Sequence, residues 1–245
     1  MLNNDLRHPV MVAREAATVD LLTGGRLELG LGAGHMKTEY DQAGLTFDDG
    51  ATRVERLGEA VAIMKGLLRG ESVTFAGRHY QVSGHTSHPL PVQRPHPPLF
   101  IGGNADRVLT LAAREADVVG FTGIAFRRGG TELDVSGCRA ASVDRQVRLV
   151  REAAGERLEH LELNALVQRV IVTDDRRKAV GELSAPWTQL SADDILESPF
   201  ALIGSVDEMI ADLRARRARW GLSYYMTHEP YMDTLAPVVA ALAQT

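Results

Sequence analysis

The sequence has almost no cysteine and no long apolar run. Cys138 is the single thiol among 245 residues, which excludes an internal disulfide and a cysteine metal cluster. It lies in a polar segment without a neighbouring histidine, so a nucleophilic role is not expected. No apolar stretch approaches the roughly 20 residues of a membrane span, and the first residues lack the pattern of a signal peptide. We therefore expect a cytoplasmic protein with no membrane partner.

The sequence also lacks a basic stripe and a metal-ligand pattern. Its formal net charge of −5 disfavours a nucleic-acid partner. The arginines between Arg214 and Arg219 are spread around one predicted helix that also carries acidic residues, so we interpret them as a solvated face. The eight histidines are scattered rather than spaced as metal ligands. A small molecule is the expected partner, and no metal is expected.

Strand and helix patterns alternate along most of the chain. Helices are predicted to begin at His8-Pro9, at Ser191 and at Ser205, where proline or a capping side chain precedes apolar residues at helical spacing. The predicted strands are 27–31, 99–101, 117–121, 161–172 and 222–226, with a hairpin over 72–82. This order is typical of a parallel sheet covered on both faces, either doubly wound or closed as a (β/α) barrel. No domain boundary is evident, which predicts one domain over 1–245.

One glycine-rich stretch, from Arg26 to His35, is the most informative part of the chain. The predicted strand runs into Gly30, Gly32 and Gly34, and a short helix is predicted over 36–43. Glycine lets backbone amides approach a ligand without an intervening side chain. A strand that passes into a helix N-terminus in this way suits an anionic or electron-rich cofactor.

A second glycine cluster, Gly102-Gly103-Asn104, follows the predicted strand 99–101. The carboxyl ends of parallel strands share one edge of the sheet, so both clusters are expected at the same edge. Glycines also make tight strand-to-helix turns, and one cluster alone would favour that interpretation. Two clusters together favour a bound cofactor. The spacing of Gly30, Gly32 and Gly34 does not match the dinucleotide fingerprint.

Four polar residues near these strand ends have two interpretations each. His35 could donate a hydrogen bond or a proton near neutral pH, or it could be a solvated loop residue. Asn104 could cap the following helix or contact a phosphate, and these roles are compatible. His228 and Glu229 follow the last predicted strand, where solvated loop residues are the favoured interpretation.

Several of these motifs resemble one known family. The segments His8-Pro9, 13–17, 20–34, 98–103 and 112–117 are similar to those of the luciferase-like flavin and deazaflavin oxidoreductases, and most similar to the branch with probable coenzyme F420 dependence. The resemblance extends nearly end to end. It implies an α/β fold of the TIM-type (β/α) barrel class whose mouth binds F420 or, alternatively, FMN.

The resemblance also implies roles for particular residues. Gly32, Ala33, Gly34 and His35 would line the cofactor ring and its side chain, and His35 would be the catalytic candidate. Gly102 and Gly103 would hold the cofactor phosphate through backbone amides, with Asn104 adjacent. Some family members carry an acid where this chain has His35. A homodimer is the expected assembly.

The resemblance further implies that residues 2–4 correspond to the end of the third barrel strand. An eight-stranded barrel would then be N-terminally incomplete, lacking roughly its first three strands. The leading functional hypothesis is hydride transfer between F420 and an organic substrate, which would contact segments 122–137 and 185–199. The alternatives are an FMN-dependent monooxygenase of the same superfamily and a catalytically silent barrel fragment or partner subunit.

Overall fold

The structure, a computed structural model, describes residues 1–127 and 132–243. These residues form two compact units. Unit 1 comprises Met1–Val119 with Glu156–Leu161, and unit 2 comprises Gly120–Gly155 with Glu162–Thr245. Both units combine parallel strands with helices, as the alternating pattern predicts.

Parallel strands form the centre of unit 1. Strand β1 (Leu2–Asn3) pairs with β2 (Leu29–Gly32), which in turn pairs with β5 (Leu99–Gly103). The intervening strands β3 (Val73–Ala76) and β4 (Gln81–His85) form the predicted antiparallel hairpin. Strand β1 lies at the edge of its sheet. Strand β1 ends at Asn3, and the chain continues as a 3-10 turn over Asn4–Leu6.

Four helices of unit 1 connect these strands. They are α1 (Pro9–Thr23), α2 (Lys37–Ala43), α3 (Gly50–Leu68) and α4 (Asp106–Glu115). Helix α1 begins as predicted, because His8 is its N-cap and accepts a hydrogen bond from the backbone N–H of Val10. Helix α3 supplies much of the core, with Leu57, Ile63 and Met64 fully buried.

One buried carboxylate fixes the starts of β2 and β5. Asp20 in α1 is fully buried and accepts hydrogen bonds from the backbone N–H groups of Val92, Gln93 and Leu27 at 2.7, 3.0 and 3.4 Å. Burial alone would raise the pKa of Asp20, but these bonds and that of the Gln93 amide outweigh it and lower the pKa. Residues 92–93, in the segment that precedes β5, are thereby attached to Leu27, in the segment that leads into β2.

Unit 2 carries the remaining parallel pairs. Strand β6 (Val118–Phe121) leads the chain out of unit 1, and β9 (Glu162–Val167) pairs with β12 (Leu222–Thr227). A second parallel pair joins β10 (Arg169–Val172) to β11 (Ala201–Gly204). The helices are α5 (Ala140–Ala154), α6 (Arg176–Gly181), α7 (Ala192–Glu197), α8 (Val206–Trp220) and α9 (Met232–Leu242).

The prediction of one long strand over 161–172 is wrong, because the strand is interrupted at Gln168. The backbone N–H of Gln168 bonds to the carbonyl of Phe200 at 2.7 Å, which directs β10 towards β11 rather than along β12. Strand β11 is absent from the sequence prediction because a four-residue apolar run carries no periodicity of its own. The segment 122–137 contains a hairpin, β7 (Ala125–Arg127) with β8 (Glu132–Asp134). Its residues 128–131 lie outside the described part.

Two side chains of unit 2 are more buried than their sequence context predicts. Arg216 is only 4% exposed and donates to the backbone carbonyl of Ala201 at 2.8 Å, so it does not belong to the predicted solvated face. Cys138 is fully buried, and burial raises the pKa of its thiol to about 12. Such a thiol is inert, in agreement with the sequence analysis.

Candidate functional site in unit 1

Three neighbouring strands of unit 1 end at one edge of the sheet. The pairing is parallel, with Asn3 of β1 opposite Gly32 of β2, and Leu31 opposite Ile101 of β5. The ends of β2 and β5 therefore lie side by side, as the sequence analysis predicts for the two glycine clusters. Asn3, which the sequence analysis did not single out, is added to this edge by β1.

Gly34 is required by packing. Its φ of +75° is rarely adopted by residues with a side chain, and a Cβ there would overlap the Tyr40 hydroxyl and approach Asn3 Oδ1 at 2.7 Å. Tyr40 in α2 is fully buried beneath this turn. The absence of a side chain at Gly34 is thus explained by Tyr40, whether or not a ligand is bound.

The Tyr40 hydroxyl is the centre of a polar network. It lies 3.1 Å from Asn3 Oδ1 and 3.0 Å from Asp5 Oδ2, and its single proton can be donated to either oxygen. Burial and the neighbouring Asp5 carboxylate raise the pKa of Tyr40 to about 12, so the hydroxyl stays protonated. Asp5 also pairs with Arg56 at 2.7 Å, and Arg56 pairs in addition with Asp48.

Helix α3 fixes the backbone of the glycine turn from the other side. Arg53 Nε donates to the carbonyl of Ala33 at 3.2 Å, and its guanidinium lies 4.0 Å from the ring centroid of Phe47. Phe47 in turn packs edge-to-face against Tyr40 at 4.9 Å. The turn 33–34 is therefore held by both a charged and an aromatic neighbour.

Gly32 differs from Gly34, because nothing in its surroundings excludes a side chain. A Cβ at Gly32 would meet only the Leu2 carbonyl and Met1 Cε, both at 4.0 Å, and its φ is ordinary. Beside it in the ladder is Asn3, whose Nδ2 is buried and has no hydrogen-bond partner among residues 1–127 and 132–243. The open position at Gly32 leaves room for a flat ring against the backbone.

The end of β5 is more crowded. A Cβ at Gly103 would lie 2.5 Å from Val108 Cγ1, so α4 packs against the strand through this glycine. Gly102 is buried, and Asn104 is partly exposed. The N-cap position of α4 is Ala105, one residue after Asn104.

His35 directly follows the glycine turn and is exposed. Partial desolvation lowers its pKa, and Arg53 acts in the same direction, whereas Glu39 opposes the shift. The imidazole is therefore mainly neutral at pH 7 and can both donate and accept a hydrogen bond.

Other predicted candidates lie elsewhere or lack ligand geometry. His228, in unit 2, is exposed and lies 3.1 Å from the Gln168 side chain, which agrees with a solvated loop residue. Among the described residues no group of three His, Cys, Asp or Glu side chains could hold a metal ion. Within the same residues, every helix is too short or too polar to cross a membrane.

Sequence reasoning missed the side chains that hold the turn: Asn3, Asp5, Tyr40, Arg53 and Arg56. They come from β1, the 3-10 turn after it, α2 and α3, and their contacts join residues far apart in the chain. No short-range spacing signals such contacts. The one indication in the sequence was the resemblance that assigns residues 2–4, and therefore Asn3, to the end of a barrel strand.

A family model described as luciferase-like monooxygenase matches residues 1–224. The chain belongs to the luciferase-like monooxygenase family. An FMNH2-dependent dimethylsulfone monooxygenase of Pseudomonas putida is 32% identical over 109 residues, which are 44% of this chain and 30% of that relative. The chain thus spans less than a third of that luciferase-like relative in this match.

Solved luciferase-like structures share the fold. An F420-dependent secondary alcohol dehydrogenase, solved with an F420–acetone adduct, superposes with a TM-score of 0.73 at 18% identity, covering 96% of this chain and 75% of that one. The F420-dependent tetrahydromethanopterin reductase of Methanopyrus kandleri gives 0.69 at 17% identity, covering 92% and 74%. The predicted fold class, α/β of the TIM-type (β/α) barrel kind, is confirmed.

Proposed function

We propose that this luciferase-like chain is an oxidoreductase that transfers hydride between coenzyme F420 and an organic substrate. The observation that carries the proposal is the open position at Gly32, on the strand that lies beside β5. The preference for F420 is supported by the resemblance of the glycine motifs to the F420-dependent branch. It is also supported by the F420-dependent enzymes among the structures of the same fold.

The proposed roles follow from how each residue is held. Gly32, Ala33 and Gly34 offer a backbone surface against which a flat ring can lie, kept in place by Arg53 and Tyr40. Asn3, at the end of the adjacent strand, contacts the Tyr40 hydroxyl beneath this turn. Gly102, Gly103 and Asn104, at the neighbouring strand end, offer backbone amides to a phosphate. Bound F420 would supply the hydride chemistry, while the protein orients it.

His35 is the proposed catalytic residue. At the end of the glycine turn its neutral imidazole can accept a proton as the substrate loses hydride, and the imidazolium formed in this way can return that proton as the substrate gains hydride. A lowered pKa keeps this neutral form populated at pH 7. An imidazole that is already protonated could not serve as the acceptor.

The test measures binding of F420 and of FMN by fluorescence titration of the purified protein. Gly32→Ala should fold normally yet weaken cofactor binding by about tenfold or more, because a methyl group enters the proposed ring position. Gly181→Ala is the matched control, since nothing lies within 4 Å of a Cβ there and the residue is in α6 of unit 2. In the same titration His35→Ala should bind the cofactor about as tightly as wild type, because the proposed role of His35 is proton transfer.

Two results would contradict the proposal. The first is a folded wild-type protein that retains neither F420 nor FMN. The second is equal cofactor affinity in wild type and Gly32→Ala, which would place the ring elsewhere.

A second candidate function is an FMN-dependent monooxygenase. The observation that favours it is the 32% identity to the FMNH2-dependent relative over 109 residues. Retention of FMN rather than F420, together with consumption of oxygen when reduced FMN is supplied, would establish this alternative.

A further inference from the structure

Arg53, near the start of α3, makes three different contacts with its guanidinium group. Its Nε donates to the Ala33 carbonyl at 3.2 Å, and its Nη1 donates to the backbone carbonyl of Asp48. Its Cζ lies 4.0 Å from the ring centroid of Phe47. A lysine ammonium is a compact point charge that cannot make these three contacts in fixed directions. The contacts therefore require arginine rather than any cation.

The position of Arg53 is fixed by the start of its helix. Asp49 is the N-cap of α3 and accepts hydrogen bonds from the backbone N–H groups of Ala51 and Thr52 at 2.8 and 3.0 Å. The backbone N–H of Arg53 bonds to the Asp49 carbonyl at 3.1 Å. Because these bonds hold the first turn of α3, the guanidinium reaches the Ala33 carbonyl from a preorganised base.

The same guanidinium also acts on His35, which directly follows the glycine turn. Partial burial is the main reason why the pKa of His35 is lowered; of the charged groups, Glu39 in α2 raises this pKa and Arg53 in α3 lowers it. The other charged pair of α2, Lys37 with Asp41, is joined at 2.6 Å. Arg53 thus offsets part of the effect of Glu39.

We propose that Arg53 is a positioning residue of the candidate site, which fixes the glycine turn through the Ala33 carbonyl and offsets the effect of Glu39 on the His35 imidazole. One side chain then places the backbone against which the cofactor ring is proposed to lie and favours the neutral base beside it. The importance of both effects for catalysis rests on the proposed function, whereas the two effects themselves do not.

Three variants separate the two effects. Arg53→Lys keeps the positive charge but loses the planar fork, so it should release the turn while the pKa of His35 stays close to that of wild type. Arg53→Met removes the charge as well, so it should release the turn and raise the pKa of His35. Glu39→Gln removes the opposing charge, so it should lower the pKa of His35 and leave the turn in place.

Both effects are measured by NMR on the full chain without cofactor. The N–H of Gly34 belongs to the same peptide group as the Ala33 carbonyl. Its ¹⁵N–¹H resonance should therefore shift in Arg53→Lys and Arg53→Met and stay in place in Glu39→Gln. The pH titration of the His35 imidazole resonances gives the pKa of His35 in each variant.

Arg69→Met is the matched control, because Arg69 lies at the other end of α3, about 24 Å along the helix, and pairs with the exposed Glu71. This variant also removes one guanidinium from α3. It should leave the Gly34 resonance and the pKa of His35 unchanged.

Fluorescence titration with F420 and FMN connects the turn with binding. Arg53→Lys and Arg53→Met should each weaken the binding of the cofactor that wild type retains by about tenfold, the loss expected for a hydrogen bond from a charged donor. Glu39→Gln and Arg69→Met should bind it as wild type does. A wild type that retains neither cofactor contradicts the proposed function, and the NMR readouts then still decide the role of Arg53.

Three results would overturn the inference. A Gly34 resonance that does not move in either Arg53 variant would show that Arg53 does not hold the turn. An equal pKa of His35 in wild type and Arg53→Met would show that the charge of Arg53 does not act on the imidazole. Unchanged cofactor affinity in variants whose Gly34 resonance has shifted would separate the turn from cofactor binding.

Discussion

The ends of β2 and β5 are both built from glycine, yet packing explains their glycines to different degrees. Gly34 must lack a side chain because Tyr40 and Asn3 occupy the space, and Gly103 must lack one because Val108 does. Gly32 has no such neighbour. The comparison teaches that a glycine cluster mixes residues that the fold requires with one that the packing of the described residues does not require.

The largest expected effect breaks the turn after β2. Gly34→Ala should lower the free energy of unfolding by about 3–5 kcal/mol, because backbone strain at positive φ adds to the overlap with Tyr40. Gly44→Ala is the matched control, since Gly44 has φ +68° but nothing within 4 Å of a Cβ, and it should cost about 1 kcal/mol. Thermal unfolding of both variants measures the difference. Equal losses of unfolding free energy in the two variants would mean that Tyr40 is not the reason why residue 34 must be glycine.

The next effect tests Asp20, which holds the segments that precede both β2 and β5. Asp20→Asn should cost about 2–3 kcal/mol at neutral pH, because a buried carboxylate that accepts several hydrogen bonds is replaced by an amide. The pKa of Asp20 is lowered in the folded protein, so its contribution is present above about pH 4 and is lost as the pH falls through the folded-state pKa.

The stability difference between wild type and Asp20→Asn should therefore shrink in acid. Denaturant unfolding at neutral and acid pH measures it. Asp193→Asn, in which an exposed carboxylate paired with Arg177 is neutralised, is the control and should change little at either pH. A stability difference between wild type and Asp20→Asn that grows in acid would contradict a lowered pKa of Asp20 in the folded protein.

The smallest effect concerns the end of β5. Gly103→Ala should cost about 1–2 kcal/mol, because its one severe contact is with a Val108 methyl group that can move. In Val108→Ala this methyl is absent, so the double variant should lose less stability than the sum of the single variants. Strict additivity in chemical unfolding would show that Val108 is not the residue that requires glycine at 103.

Much of this architecture could be predicted because its signals are local. The hairpin 72–82, the caps at His8 and Ser205, and the adjacency of the β2 and β5 ends all follow from residue type and spacing over a few positions. The division of 161–172 into two strands could not, because it is set by the bond between Gln168 and Phe200. The burial of Arg216 likewise depends on the Ala201 carbonyl, which is remote in sequence.

By itself, the sequence determined the family motifs, the parallel α/β class and the placement of both glycine clusters at strand ends, because hydrophobic periodicity and glycine placement act locally. Only the tertiary structure decided which glycine is free of packing and which side chains hold the turn. It brought Asn3, Tyr40 and Arg53 together around the turn 33–34, and it placed Arg56 between Asp5 and Asp48. These contacts connect distant segments of one chain, and their geometry is set by how helices pack on the sheet rather than by any spacing along it.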